Sequence, residues 1–131
     1  MPAQFDLSKF KKLGSLAEAA QVLDELQESG SYENLRQAMT HPLTEIKNEA
    51  VKRIKQAGDK HALPELIKAL QHANVPAMGS EHATAQTVYK ENLIKAVNAL
   101  SGQNFNVADA NNLKELSEVV SRMTRWTDEN L

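Results

Sequence analysis

The sequence predicts an all-α fold, a short α-solenoid of about six helices stacked as antiparallel pairs. Apolar residues recur at three- and four-residue spacing along most of the chain, and one helical pattern is repeated. Aromatic residues make up only 5% of the sequence. A core so poor in aromatic residues has to be built from Leu, Ile, Val and Ala, which is a composition typical of helices.

Length and charge limit the possible classes of protein. At 131 residues the chain can bury one adequate core, so we predict a single helical-repeat domain over residues 1–131. With 15 basic and 17 acidic residues it has no overall field that would attract nucleic acid or an anionic membrane. Cysteine is absent, which excludes disulfides and thiolate chemistry. No apolar run suits a signal peptide or a membrane span, so we expect a soluble, cytoplasmic protein without membrane contact.

Residues 1–14 combine Phe5, Leu7, Phe10 and Leu13 with three lysines, and the spacing could place these four apolar groups on one side of a short helix. One interpretation is a lid that docks on the domain or a tail that frays. The other is a lysine-bearing arm that touches a partner.

The first two helices after this segment have clear start and stop signals. Ser15 and Glu18 form a capping box, and Gly30 supplies a left-handed stop. Ser31 can cap a short second helix that ends at the His41-Pro42 pair. The short connection makes these helices antiparallel neighbours.

The third helix is predicted to begin with Pro42 at its first position and to end at the Gly58-Asp59 pair. Its buried stripe is predicted as Ile46, Ala50, Val51, Ile54 and Ala57. A fourth helix should start close before Pro64, because a proline further inside would break it. The apolar pattern then stops, and residues 71–80 are predicted as a long loop.

A fifth helix is predicted over about residues 82–100, with Lys90 and Lys95 on its outer face. Residues 101–105 close it. Asp109 offers an N-cap for a last helix over residues 109–126. Trp126, just beyond the apolar positions of that helix, either seals an exposed edge of the core or binds a ligand.

The helical pattern is repeated within the chain, as residues 31–58 and residues 60–102. The first helices of the two copies share one apolar pattern, and the second helices of the two copies share another. The copy at residues 60–102 differs by the inserted loop at 71–80. The matched positions are Leu35, Ala38 and Met39 with Leu66, Ala69 and Leu70, and Ala50, Val51, Ile54 and Ala57 with Leu93, Ile94, Val97 and Leu100. Internal repetition indicates stacked helix pairs, with the first and last helices as caps.

The segment HPLTEIKNEA at residues 41–50 resembles the opening of bacterial HEAT-like repeats, often called phycobilisome-lyase HEAT-like repeats, which reads Asp-Pro, three residues, Val-Arg, two residues, Ala. Residues 57–66, AGDKHALPEL, are similar to that family's Gly-Asp linker and Ala-Leu-Pro helix start. Residues 100–105, LSGQNF, resemble a segment with which such arrays end. The resemblance implies a short two-unit array. His41 replaces the family's capping Asp and Lys47 its Arg, so a charged ladder between units is weaker or absent.

Chemical motifs are scarce. The five glycines lie next to helix ends and form no phosphate loop, and no serine or threonine has a placed base. We therefore predict no catalytic residue and no cofactor. The four histidines lack metal-ligand spacing, so we predict no metal; a weak metal or acid/base site at His72, Glu81 and His82 is the alternative.

The function predicted is a noncatalytic protein-interaction or scaffolding module. The resemblance implies that the third and fifth helices line a concave surface, and this ridge and the inserted loop would bind an unidentified protein. The residues predicted to bind are Lys47, Lys52, Arg53, Lys55, Lys90, Lys95, His72, Val75, Met78 and His82.

Four alternatives to this function remain open. The lysine face could grip a nucleic-acid backbone, or it could be an ordinary solvated face of mixed charge. A chromophore lyase would follow from family association alone. The open ends of a two-unit array could also pair two copies of the chain as a homodimer.

Overall fold

The computed structural model describes residues 5–74 and 80–131, with the backbone alone for 80–84. In these residues the chain forms seven α-helices and one short 3-10 helix, and it contains no strand. The all-α prediction is confirmed, with one helix more than the six predicted. None of the helices in the described ranges is long and apolar enough to cross a membrane.

The contacts divide the chain into two compact units, Met1–Ala57 and Gly58–Leu131. The boundary falls at the predicted Gly-Asp pair. Gly58 has a φ of 70°, a left-handed conformation that glycine adopts without steric cost, and it ends the preceding helix.

The first unit contains α1 (Leu7–Lys11), α2 (Leu16–Glu28), α3 (Tyr32–Ala38) and α4 (Thr44–Ala57). The helix α2 packs against both α3 and α4, α3 packs against α4, and α1 lies on α3. The stripe predicted for α4 is buried except for Ala57, which is half-buried. The core of this unit is formed by Phe10, Ala19, Leu23, Leu26, Leu35, Ala38, Met39, Ile46, Ala50, Val51 and Ile54.

Ser15 caps the start of α2 as predicted, but the Glu18 carboxylate bonds the Ser15 hydroxyl and not the Ser15 amide of a full capping box. The Ser15 hydroxyl oxygen accepts the Glu18 amide at 3.2 Å, and the hydroxyl donates to Oε1 of Glu18 at 3.2 Å. Ser31, in contrast, makes no side-chain cap for α3, because its hydroxyl pairs with the Ser29 hydroxyl at 2.8 Å. The prediction of a Ser31 cap is wrong for this reason.

The start of α4 also differs from the prediction, since the helix begins at Thr44 rather than at Pro42. Nδ1 of His41 accepts the amide of Leu43 at 3.0 Å and holds residues 41–43 in a turn. The Leu43 carbonyl then accepts the first helical amides, those of Ile46 and Lys47, at 3.1 Å. His41 thus does what a capping carboxylate would do at this position.

Residues 5–13 dock on the first unit. Asp6 caps α1 by accepting the amide of Lys9 at 3.2 Å, and the ring of Phe10 is only 3% exposed. Residues 1–4 lie outside the described residues.

The second unit contains a 3-10 turn (Lys60–Ala62), α5 (Leu63–Ala73), α6 (Ser80–Ser101) and α7 (Leu113–Asn130). The helix α5 is central and packs against both α6 and α7. The described core consists of Ala62, Leu63, Leu66, Ile67, Leu70, Tyr89, Leu93, Ile94, Ala96, Val97, Leu100, Ala110, Leu116, Val119, Val120 and Met123.

The start of α5 agrees with the prediction, and its end does not. Pro64 lies in the first turn, where its missing amide costs nothing, and Asp59 caps the preceding turn by accepting the His61 amide at 3.2 Å. The helix continues to Ala73, into the loop predicted at 71–80. Residues 75–79 of that loop lie outside the described residues.

The side chain of Asn98 holds the connection between α6 and α7 by two hydrogen bonds, a pair called the clasp below. Asn98 donates from Nδ2 to the Phe105 carbonyl at 2.9 Å and accepts the Phe105 amide on Oδ1 at 2.8 Å. The cap of α7 is Asn112 and not the predicted Asp109, whose carboxylate instead accepts the Asn111 amide at 2.9 Å. Because α7 runs to Asn130, Trp126 lies within it and is half-buried.

Candidate interaction surface

The exposed face of α4 is the candidate surface in the first unit. The helix buries its apolar stripe against α2 and α3, which leaves a polar face on the opposite side. Lys52 and Lys55 are exposed on this face, as predicted, and Lys47 is half-buried.

Arg53 does not belong to the exposed set, although we predicted that it does. Its side chain is 16% exposed because the guanidinium bridges α4 to α2. Nε lies 3.1 Å from Oε1 of Glu49, and Nη1 donates to Oε1 of Gln27 at 3.1 Å and pairs with Asp24. Burial lowers the pKa of Arg53, but the hydrogen bonds and charges of Asp24 and Glu49 outweigh it, and the net shift is upward.

The Arg53 bridge changes the charge balance of the candidate surface. Arg53 pairs with both Glu49 and Asp24, so its single positive charge offsets only one of these two carboxylates. Glu49 is one of the two acidic residues interleaved with the lysines of α4. Glu45, the other, is exposed in the first turn of the helix. Among the exposed charged residues of α4, the two lysines Lys52 and Lys55 outnumber Glu45, so the exposed face of this helix is cationic on balance.

In the second unit, α6 carries the other two lysines that were predicted to bind, and they differ in exposure. Lys95 is exposed, as predicted. Lys90 is 0% exposed, so its predicted place on the outer face is wrong. The sequence contained the signal: Lys90 precedes Leu93, Ile94 and Val97 at three-, four- and seven-residue steps, which places it in register with the buried stripe.

The buried lysine lies against the connection between α6 and α7. Its Nζ donates to Oδ1 of Asn111 at 3.4 Å, and Asn111 also donates to the Thr87 hydroxyl at 2.9 Å. Loss of hydration lowers the pKa of Lys90, and the negative charge of Asp109 opposes this shift. The neighbouring Tyr89 is buried as well, and burial raises its pKa to about 12.

The other predicted binding residues flank the loop. His72 is exposed in the last turn of α5. Val75, Met78 and the side chain of His82 lie outside the described residues, as does the Glu81 side chain of the alternative metal site. Within the described ranges no three His, Asp or Glu side chains converge as metal ligands would.

Sequence reasoning missed one depression in the surface of the second unit. It is an open cleft of about 570 Å³ between Gln71 at the end of α5 and a polar face of α7 that carries Ser121, Thr124, Arg125 and Asp128. Its position depends on how α5 and α7 pack together, which no local pattern reveals. Both signs of charge line it, so it favours no ligand class.

No family model, no curated protein and no solved structure matches this chain.

Proposed function

We propose that the chain is a noncatalytic protein-interaction module of the HEAT-like helical-repeat type, a short α-solenoid that binds an acidic protein partner through the exposed face of α4. The observation that carries this proposal is the pair of exposed lysines, Lys52 and Lys55, on a helix whose Arg53 is engaged by Glu49 and Asp24.

Two features of the fold support the helical-repeat part of the proposal. The helix pairs α3/α4 and α5/α6 each pack together, and these are the two copies of the sequence repeat. The two turns at residues 41–43 and 59–61 are also held in the same way. His41, between the helices of the first copy, and Asp59, between the two copies, each accept the amide two residues further on.

The chemistry of the α4 face supports an acidic partner. Lys52 and Lys55 are three residues apart, so their ammonium groups are neighbours on the helix surface. An exposed ion pair contributes only about 0.2–1 kcal/mol and is screened by salt. The two lysines therefore supply orientation and salt sensitivity, and a specific partner has to add contacts of its own.

A charge-reversal experiment tests the proposal. Full-length protein serves as bait for a lysate of the source organism, and the captured proteins are compared with those of the Lys52→Glu, Lys55→Glu double variant. The matched control is the Lys68→Glu, Lys114→Glu variant, which makes the same charge change at two exposed lysines of the second unit. We expect at least one acidic protein that the control retains and the α4 variant loses, and its affinity should fall as salt is raised.

Two outcomes would count against this function. If every captured protein is lost equally from both variants, net charge and not the α4 face governs capture. If a gel shift shows that duplex DNA or RNA binds the wild-type chain, with a steep salt dependence that the α4 variant abolishes, the lysines serve a nucleic-acid backbone instead.

A further inference from the structure

His41 is fully buried, and both of its ring nitrogens have backbone partners. Nε2 lies 3.0 Å from the carbonyl oxygen of Leu13, and Nδ1 lies 3.0 Å from the amide nitrogen of Leu43. The first partner belongs to the segment that carries α1, and the second belongs to the turn that starts α4. One imidazole therefore joins two parts of the first unit that are distant in sequence.

These partners select one tautomer of the ring. The Leu43 amide can only donate, so Nδ1 has to be the unprotonated acceptor. A neutral imidazole then carries its hydrogen on Nε2, where it donates to the Leu13 carbonyl, which can only accept. The same tautomer thus satisfies both bonds, and each bond favours the state of the ring that the other requires.

The segment that docks on His41 has little stability of its own. The helix α1 has five residues, too few for an isolated helix in water. Its anchor is Phe10, whose ring meets the His41 ring edge-on at 5.3 Å and an interplanar angle of 80°. The ring centroid of Phe5 lies 5.6 Å from that of Phe10 and extends the same contact. Docking therefore depends on the surface that His41 and α3 provide.

We propose that residues 5–13 act as a strap, and that docking of this strap on His41 and ordering of the first turn of α4 are one coupled transition. Undocking removes the acceptor of the Nε2 hydrogen and admits water to the ring, so Nδ1 is no longer held toward Leu43. The Leu43 carbonyl accepts the first two helical amides, those of Ile46 and Lys47, so the first turn loosens with it. Coupling is reciprocal, and whatever orders the start of α4 also favours the docked strap.

Hydrogen exchange of individual amides, measured by NMR on the full chain, tests this coupling. The reporters are the amides of Ile46 and Lys47, and the reference is the amide of Ile54 near the end of the same helix. Phe10→Ala removes the anchor of the strap and changes no residue of α4. We expect exchange at the reporters to rise roughly tenfold or more relative to Ile54.

A second substitution separates coupling from general destabilisation. In His41→Asn the side-chain oxygen can take the place of Nδ1 and accept the Leu43 amide, but the side chain is too short to reach Leu13. The strap amides, those of Phe10 and Leu13, should then exchange faster. Adding Phe10→Ala to this variant should leave the exchange rates of the Ile46 and Lys47 amides unchanged relative to that of Ile54, because the hydrogen bond between residue 41 and Leu13 is already absent.

Three results would overturn the proposal. In the first, Phe10→Ala accelerates exchange in the strap and leaves Ile46 and Lys47 as slow as before. In the second, exchange of all α4 amides becomes faster by the same factor, so that exchange at Ile46 and Lys47 rises no more than exchange at Ile54. In the third, Phe10→Ala has the same effect on the reporters whether residue 41 is histidine or asparagine.

Discussion

The Nε atom of Arg53 lies 3.1 Å from Oε1 of Glu49, one turn earlier on α4. The same guanidinium reaches Gln27 and Asp24 on α2, so the ion pair within α4 is also a tie between two helices. Lys52, the adjacent residue, is exposed. Neighbouring cations on one helix thus serve the fold and the surface separately.

Arg53→Met should destabilise the first unit by about 1–2 kcal/mol, because the half-buried carboxylate of Glu49 loses its partner and α2 loses its tie to α4. Lys52→Met, the matched control at an exposed position, should change the free energy of unfolding by less than about 0.5 kcal/mol. Urea denaturation of both variants measures the difference. Equal midpoints would show that the Arg53 bridge contributes no stability.

Lys90→Met should leave stability unchanged or raise it by up to about 1 kcal/mol, because an apolar side chain of similar length avoids the cost of burying an ammonium group. Lys90→Ala should instead lower stability by about 2 kcal/mol, since it leaves a cavity beside α6. The same urea denaturation distinguishes the two variants. A large loss of stability in Lys90→Met would mean that the bond to Asn111 outweighs the cost of burying the charge.

The stability of the second unit should depend on alkaline pH through Tyr89. Its pKa is raised to about 12 in the folded chain against 10.0 ordinarily, so between these values the folded state holds more protons than the unfolded state. Stability therefore falls as pH rises through this window, by about 2–3 kcal/mol in all. Tyr89→Phe should lack this fall, as measured by urea midpoints at pH 9, 10 and 11. An unchanged slope in that variant would assign the dependence to other groups.

Lys90 acts in the opposite direction over the neighbouring range of pH. Its pKa is lowered from 10.5 by loss of hydration, so just below that value the unfolded state binds more protons than the folded state. The free energy of unfolding rises with pH in this window, and Lys90→Met should abolish the rise. Midpoints collected below pH 10.5 test this, and a rise that persists in Lys90→Met would exclude Lys90 as its source.

Asn98→Ala should cost about 1–3 kcal/mol, because it removes both hydrogen bonds that hold Phe105 in the connection between α6 and α7. Asn104→Ala is the matched control, since that asparagine is exposed in the same connection. It should change stability by less than about 0.5 kcal/mol. Thermal denaturation compares the two, and equal melting temperatures would show that the clasp is energetically unimportant.

The candidate surface was predicted in part. Exposure of Lys52, Lys55 and Lys95 follows from the helical period, which the structure confirms at these positions. Arg53 could not be assigned in this way, because its partner Asp24 lies 29 residues earlier in the chain. The charge of Lys90 favours the surface and its register with the buried stripe favours the core, and in this helix the register decides.

The sequence by itself determined most of the buried stripes and several helix ends of this protein. Periodicity defined the buried stripes, Ser15 the start of α2, Pro64 the start of α5, and Gly30 and Gly58 the ends of α2 and α4. These signals work because a residue in a helix interacts mainly with neighbours three or four positions away. Each of these features can therefore be recognised from a short window of sequence.

Only the tertiary structure decided which polar side chains belong to the fold. The hydrogen bond from His41 to Leu13 spans 28 residues and that from Lys90 to Asn111 spans 21. No helical period connects residues so far apart. Whether such a side chain is buried and bonded or exposed and available depends on which helices pack together, and that is settled only when the core forms.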